Sequence, residues 1–390
     1  MNILFLTNKS AFQNGVFGGA ESSIRLLSEH LLNNGHSVDY MTKNRTGRFW
    51  PRIMSVNRNG VKLHIFHTTY GYRRRKFVRK LNDWFLERHV RSLAKSQQIG
   101  IAYCFYETEN VQLLLRVSKQ LGYPKVVMRM AGIQWYEMCL RDPSLVPVYC
   151  DIFNRIDAVN YISSGLQNMV EDRLAELQMT VQFKYAFVAD IGSSVRPGRT
   201  ASYDSLLAEP FRVVMATRFS NYQKRHDVLV RAIAALGSAY SVCLTLIGDG
   251  GQRANIQKLV DQLGITDRVE FVPFLAQDAL WSEFQASHLL CHACDHEGLG
   301  KIIIEAMAVG LPVLVSDVEP LNTYITDGEN GFLVENEPEQ WARKLELLMS
   351  DSSSRTLVSN KAMEWVKAYY DPVHNVNRYI EQFQQIAFRP

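Results

Sequence analysis

The stretch Glu297-Gly-Leu-Gly-Lys301-Ile-Ile-Ile-Glu305-Ala-Met-Ala-Val-Gly310-Leu-Pro-Val-Leu-Val-Ser-Asp317 reads as the end of a loop, a helix, a tight turn and a buried strand. Gly298 and Gly300 flank Leu299 where the helix should begin, so backbone N–H groups there can face an anion, and Lys301 adds a positive charge at the same place. Ile302, Ile303, Ile304, Ala306, Met307, Ala308 and Val309 are apolar all round, which fits a buried helix. Glu305 interrupts that run. A carboxylate among such neighbours is costly without a partner, and a vicinal diol, whose two hydroxyls both donate, would be a good one. Gly310 supplies the helix stop, Pro312 blocks continuation, and Val313–Val315 returns as a strand. The local physics is that of a phosphate cradle with a diol-binding carboxylate inside the helix. The plainer reading is a core helix whose Glu305 pairs with a nearby Arg or Lys.

Two glutamates separated by seven residues, followed by Ala-Met-Ala-x-Gly-x-Pro-Val, resemble the signature of retaining glycosyltransferases of family 4, which have the GT-B fold. The resemblance implies that Glu297 contacts the donor sugar and that Glu305 holds the ribose hydroxyls. It also implies that the backbone of Gly298, Leu299, Gly300 and Lys301 meets the diphosphate.

Working outward, Phe211–Ala216 opens a strand series, with Thr217-Arg218 after the strand and Lys224 just ahead of a helix. Two cations at the carboxyl end of a strand in an open α/β sheet are where a diphosphate would bind, although surface cations are the plain alternative. Family 4 members are similar here, with an Arg and a Lys on the donor diphosphate; in this chain the spacing is one residue longer and Arg225 stands where glycine is common. Gly248-Asp-Gly-Gly251 is a second strand-to-helix glycine turn, assigned by the resemblance to the donor side. Cys291-His-Ala-Cys294 is a lone C-x-x-C without a second ligand pair, so no zinc site is expected and the pair is placed at a strand end.

The first half opens on a parallel-type strand, Asn2–Thr7, then a loop ending Gly18-Gly19-Ala20-Glu21, then a helix to Asn33 and a strand at Ser37–Met41. The loop lacks the dinucleotide pattern G-x-G-x-x-G. Gly18 and Gly19 resemble the family's glycine loop, which faces the interdomain cleft near donor phosphate and acceptor. Further strands are expected at 61–66, 101–105 and 125–130, and Asp157–Ser164 resembles the family's strand that closes the first domain before a Ser-capped helix. Where the family carries a His-Gly pair touching the donor sugar, this chain has Ala131-Gly132, which leaves the sugar open; Arg129, Gln134 and Trp135 are candidates for the cleft wall. Residues 70–93 combine Arg73, Arg74, Arg75, Lys76, Arg79, Lys80, Arg88 and Arg91 with Phe77, Leu81, Trp84, Phe85, Leu86 and Val90 near one face. Such a helix can lie on an anionic bilayer or pack on its own sheet as an ordinary surface helix. Nucleic acid is not expected, since no recognisable module accompanies the patch.

Composition describes a globular protein: 390 residues, 47% hydrophobic and 21% charged. No apolar run reaches membrane-spanning length and no signal peptide opens the chain, so cytoplasmic residence is expected, with membrane association on the cytoplasmic face as an option. Six cysteines in such a setting are expected to be reduced. The net charge of +4 conceals a basic first half and an acidic second.

The expectation is an α/β protein of GT-B type: residues 1–190 as a Rossmann-like acceptor-binding domain, 191–370 as a Rossmann-like nucleotide-sugar-binding domain, and 371–390 as a helix crossing back after the break at Asp371-Pro372. The expected activity is retaining transfer of a sugar from a nucleotide-diphosphate donor, UDP- or GDP-linked, to a saccharide or lipid-linked saccharide acceptor in surface polysaccharide or glycolipid synthesis. Glu297, Arg218 and Lys224 carry the chemistry. No Asp-x-Asp appears, so neither metal nor cofactor is expected. Two alternatives share the fold: a nucleotide-sugar epimerase, and a catalytically silent partner subunit.

Overall fold

The computed structural model describes residues 1–8, 12, 19–48, 50–69, 76–193, 210–219 and 223–389. The chain divides into two units. Met1–Ile191 joins with Pro372–Pro390 to make the first, and Gly192–Asp371 forms the second.

The first unit is built on β1 (Asn2–Thr7), β2 (Ser37–Arg48), β3 (Arg52–Arg58), β4 (Val61–Thr69), β5 (Ile101–Cys104), β6 (Lys125–Met130), β7 (Ala158–Tyr161) and β8 (Ala186–Val188). They form one sheet in the order β3-β4-β2-β1-β5-β6-β7-β8. Neighbours run parallel except β3 and β4, which are antiparallel. The two join through Asn59-Gly60, both at positive φ, as a two-residue hairpin requires. The sequence reading placed β4 and overlooked β3. That strand lies at the sheet edge and is largely exposed, so it carries no apolar alternation to detect.

The helix Lys76–Gln97 buries Asn82, Leu86 and Val90, four residues apart, with Leu93 and Ala94. Phe77 and Trp84 are 78% and 57% exposed, so the apolar residues do not share one face as expected. Asn82 ties the helix to the end of β4: its Oδ1 accepts from the Thr69 amide (3.1 Å) and its Nδ2 donates to Thr69 Oγ1 (2.7 Å).

The helix Pro372–Ala387 completes the first unit, burying Val376, Tyr379, Phe383 and Ile386 against Ile3, Phe5, Tyr103 and Phe187. Arg129, expected as a cleft candidate, is 1% exposed. Its guanidinium donates to Asp190 Oδ2 (2.7 Å) and Tyr379 Oη (3.3 Å), while Tyr379 Oη donates to the Ala189 carbonyl (2.8 Å). Trp135 is fully buried against Tyr149 and Phe153. Both residues are parts of the core.

The second unit carries β9 (Phe211–Ala216), β10 (Val242–Ile247), β11 (Val269–Val272), β12 (Leu289–His292), β13 (Val313–Ser316) and β14 (Phe332–Val334). Their order is β11-β10-β9-β12-β13-β14, with every pair parallel. Numbered from β9, this is the doubly wound 3-2-1-4-5-6 order. Its topological switch point, where such sheets bind ligands beyond the strand ends, lies between β9 and β12. Val213, Met215, Leu244, Leu289 and Leu314 pack with Leu229, Ile233, Trp341 and Leu345 in one core.

Candidate active site

The carboxyl ends of β9 and β12 hold the charged groups expected from sequence. After β9 the chain passes Arg218, which is exposed, and reaches Lys224 ahead of the helix His226–Ala235. After β12 it passes Cys294 and reaches Glu297 ahead of the helix Lys301–Ala308. The two segments are laced together: Lys224 and Cys294 form an antiparallel bridge, Arg225 N donates to the Ala293 carbonyl (3.0 Å), and Asp295 N donates to the Gln223 carbonyl (3.0 Å). This lacing brings Lys224 to Glu297 although 73 residues separate them.

Lys224 Nζ pairs with Glu297 Oε2 and lies 3.2 Å from His292 Nε2. His292 Nε2 is 3.0 Å from the same carboxylate oxygen, and the Gly298 amide donates to Glu297 Oε1 (3.0 Å). Burial alone would raise the Glu297 carboxyl, but the Lys224 charge and the hydrogen bonds from His292 and Lys224 outweigh it and hold it well below the carboxylate range. Burial, then the Lys224 charge, pushes His292 down, opposed by Glu297. The carboxylate is thus kept ionised in a mostly desolvated place. Arg225, at the position where glycine is common in the resembling family, is taken up by Asp227 (3.1 Å) and Asp295 (2.9 Å).

Gly300 caps the helix Lys301–Ala308 at φ 67°; a Cβ there would lie 2.6 Å from Ile303 Cδ1, so the turn calls for glycine. Tyr324 Oη donates to the Leu299 carbonyl (2.5 Å) and braces the turn. Glu305, one turn into the helix, is 8% exposed. Ser193 Oγ donates to its Oε1 (3.5 Å), and the Gln277 side chain is a second partner. Burial raises this carboxyl, against the pull of Lys301, Gln277 and Ser193. Among the described residues acting on it, the basic partner of the plain reading is Lys301, through its charge.

Gly248 follows β10 at φ 138°, and a Cβ there would lie 2.1 Å from the Thr217 carbonyl oxygen. The turn is a backbone-to-backbone fit against the segment carrying Arg218: Phe219 N donates to the Asp249 carbonyl and Gln252 N to the Phe219 carbonyl (both 3.1 Å). Gly19 begins the helix Gly19–Asn33 in the first unit, and Gly18 lies outside the described residues, as do Arg73, Arg74 and Arg75.

Sequence reasoning overlooked His292, Ser193 and Gln277. His292 could have been found from its place as last residue of the strand leading to Glu297. Ser193 and Gln277 lie 112 and 28 residues from Glu305 in sequence and leave no local signal. Among the described residues, His292, Cys294 and Glu297 offer ligand atoms within 4.8 Å of one another.

Residues 204–365 match the family model of glycosyl transferases group 1. LpsE, the lipopolysaccharide core biosynthesis glycosyltransferase of Rhizobium meliloti, is 31% identical over 179 residues, 46% of this chain and 50% of its own. The chain therefore spans about half the length of that curated relative. Among solved structures, the sucrose-phosphate synthase of Thermosynechococcus elongatus superposes with a TM-score of 0.79 at 19% identity, over 99% of this chain and 98% of its own. HepE of Anabaena, solved in complex with UDP-glucose, superposes with a TM-score of 0.74 at 19% identity, over 99% and 100%. The fold, two Rossmann-like parallel-sheet units, is GT-B. The matched residues fill most of the second unit. No described helix is long and apolar enough to cross a membrane.

Proposed function

We propose that the protein is a retaining glycosyltransferase of family 4 that takes its sugar from a nucleotide-diphosphate donor. The observation that carries this reading is the Lys224–Glu297–His292 group at the switch point of the second sheet, preceding the turn Gly298–Gly300. The Lys224 ammonium and the Glu297 carboxylate satisfy each other. A donor diphosphate would draw Lys224 away, with Arg218, Lys301 and the first amides of the helix Lys301–Ala308 joining it. Glu297, released but still ionised, then accepts hydroxyl hydrogen bonds from the donor sugar and supports positive charge growing at the anomeric carbon. Gly248, at the turn after β10, completes the donor side of the second unit.

Glu305 is suited to the ribose diol. It is already held by the hydroxyl of Ser193 and the amide of Gln277, and two hydroxyl donors would replace those weaker contacts. Cations at the diphosphate stabilise the departing charge, an electrostatic contribution that removal of one donor typically lowers by about 10²–10³-fold in rate. The leaving phosphate serves as base toward the acceptor hydroxyl, and no protein group need become covalently attached.

The acceptor is a saccharide or lipid-linked saccharide, held by the first unit, in surface polysaccharide or glycolipid synthesis. The relative LpsE acts in lipopolysaccharide core synthesis by its name, which accords with such an acceptor. The exposed Phe77 and Trp84, with Arg88 stacked over Trp84 at 5.7 Å, support a peripheral contact of the helix Lys76–Gln97 with an anionic membrane at the cytoplasmic face.

The test is thermal stabilisation by UDP-, GDP-, ADP- and TDP-sugars without added metal, followed by transfer assays with the stabilising donor. A ligand of the native state must raise the midpoint. One donor is expected to stabilise strongly; none doing so at millimolar concentration would overturn the reading in favour of a silent subunit. Donor consumption without any acceptor, giving an epimerised sugar, would favour the epimerase.

A further inference from the structure

His292 and Cys294 lie two residues apart across the end of β12, so they project from the same side of the strand, and Glu297 folds back over them three residues later. One atom from each, imidazole nitrogen, thiol sulfur and carboxylate oxygen, falls within 4.8 Å of the other two. In a tetrahedral zinc site the ligand atoms are about 3.3–3.8 Å apart, a gap that side-chain rotation can close. His292 is 1% and Cys294 0% exposed, and His292 Nδ1 has no hydrogen-bond partner among the described residues. A cation already sits against two of the three, the Lys224 ammonium on Glu297 and His292. The donor set is nitrogen, sulfur and oxygen, which selects a borderline-soft ion over Mg²⁺, whose preference is for oxygen ligands.

We propose that His292, Cys294 and Glu297 form a site for Zn²⁺ that competes with the Lys224 ammonium. On binding, the thiol proton of Cys294 is released to solvent, Lys224 swings out, and a water from the solvent-exposed side of Glu297 takes the fourth position. Three protein ligands with one open position describe an exchangeable metal, not a structural one. That occupancy also blocks the donor rests on the function proposed above: the ion takes the carboxylate that would meet the sugar and the place from which Lys224 reaches the diphosphate.

The experiment is titration of the purified protein with Co²⁺ as a spectroscopic stand-in, followed by displacement with Zn²⁺. A thiolate-to-cobalt charge-transfer band is expected. It should vanish on adding Zn²⁺, persist in millimolar Mg²⁺, persist in Cys150→Ser, and be absent in both Cys294→Ser and Cys294→Ala. Circular dichroism melting identifies which of these two variants is folded. Lys224→Met, lacking the competing ammonium, should bind Zn²⁺ at least tenfold more tightly. No band in the wild type, a band surviving in the folded Cys294 variant, or unchanged affinity in Lys224→Met would overturn the proposal. The donor arm is separate. A nucleotide sugar that stabilises the protein should be displaced by Zn²⁺, and coexistence of the two would overturn the blocking role. A protein that binds Co²⁺ through Cys294 but no nucleotide sugar would overturn the transferase reading and leave the metal site standing.

Discussion

The two units place buried charge in opposite circumstances. In the first, Arg129 is sealed beneath the helix Pro372–Ala387, paired with Asp190 and hydrogen-bonded to Tyr379, with both ionic side chains under 5% exposed. In the second, the Lys224–Glu297 pair sits at the strand ends, 11% and 17% exposed. The first pair is sealed from solvent among the described residues; the second is partly exposed and has a helix N-terminus three residues on. A buried ion pair is therefore no signature of function by itself. Position at the switch point of the sheet is what separates a fastening from a site.

The largest expected effect tests the fastening. Arg129→Ala leaves Asp190 buried without its cation and should lower stability by about 3–5 kcal/mol, measured by urea unfolding, while donor affinity of the folded fraction stays unchanged. Normal stability with lost donor affinity would erase the contrast between the pairs. Next is the site itself. Glu297→Ala should lower transfer by about 10²–10³-fold and keep some nucleotide affinity, with a measurable loss of coupling to Lys224→Ala in a double-mutant cycle. Full transfer in Glu297→Ala would end its assigned role. Glu305→Ala should weaken donor binding by about a hundredfold, read by calorimetry, and leave the melting midpoint of the free protein nearly unchanged, since it removes a buried carboxyl rather than a core contact. Wild-type donor affinity in that variant would return Glu305 to the plain structural reading.

The smallest effect concerns pH and again divides the units. In the first, burial pushes the Glu107 carboxyl up to about 7, against its own backbone amide and the Lys43 charge. Its folded-state value is raised, so its contribution to stability is complete below the ordinary carboxylate range and is lost as pH rises through about 7. In the second, burial lowers His226 to about 4, outweighing the Lys224 carbonyl that accepts from it. Its contribution is complete above the ordinary histidine range and is lost as pH falls toward about 4. Glu107→Gln should therefore gain stability over wild type between pH 5 and 8, by at most about 3 kcal/mol, and gain nothing at pH 4. A gain independent of pH would show that the carboxyl titrates normally.

Much of the second unit was legible because its information is local. The stretch 297–317 contains its own helix start, apolar run, stop and strand, and the helix Lys301–Ala308 and β13 form from those signals. The first unit was harder to read for physical reasons. Strand β3 has polar residues on both faces because it lies at an edge. Arg129 and Trp135 look like site residues in a linear sequence, since only packing reveals that a helix more than two hundred residues later covers the arginine. The aromatics of the helix Lys76–Gln97 were assigned to one face because each fits a helical repeat within the tolerance of the pattern. The sheet decided which set went inside: Leu86 and Val90, leaving Phe77 and Trp84 in water.

The sequence by itself determined the α/β alternation, the glycine turns, the break at Asp371-Pro372 and the pair of glutamates on either side of a helix start, all of which depend on neighbours within a turn or two. Only the tertiary structure decided that Lys224 meets Glu297, that His292 and Cys294 join them, that Ser193 and Gln277 reach Glu305, and that Arg129 is a fastening. Those contacts join residues 28 to 250 positions apart, or depend on which side of a strand faces them. Their formation depends on strand order and register, which emerge when the whole sheet buries its apolar faces at once.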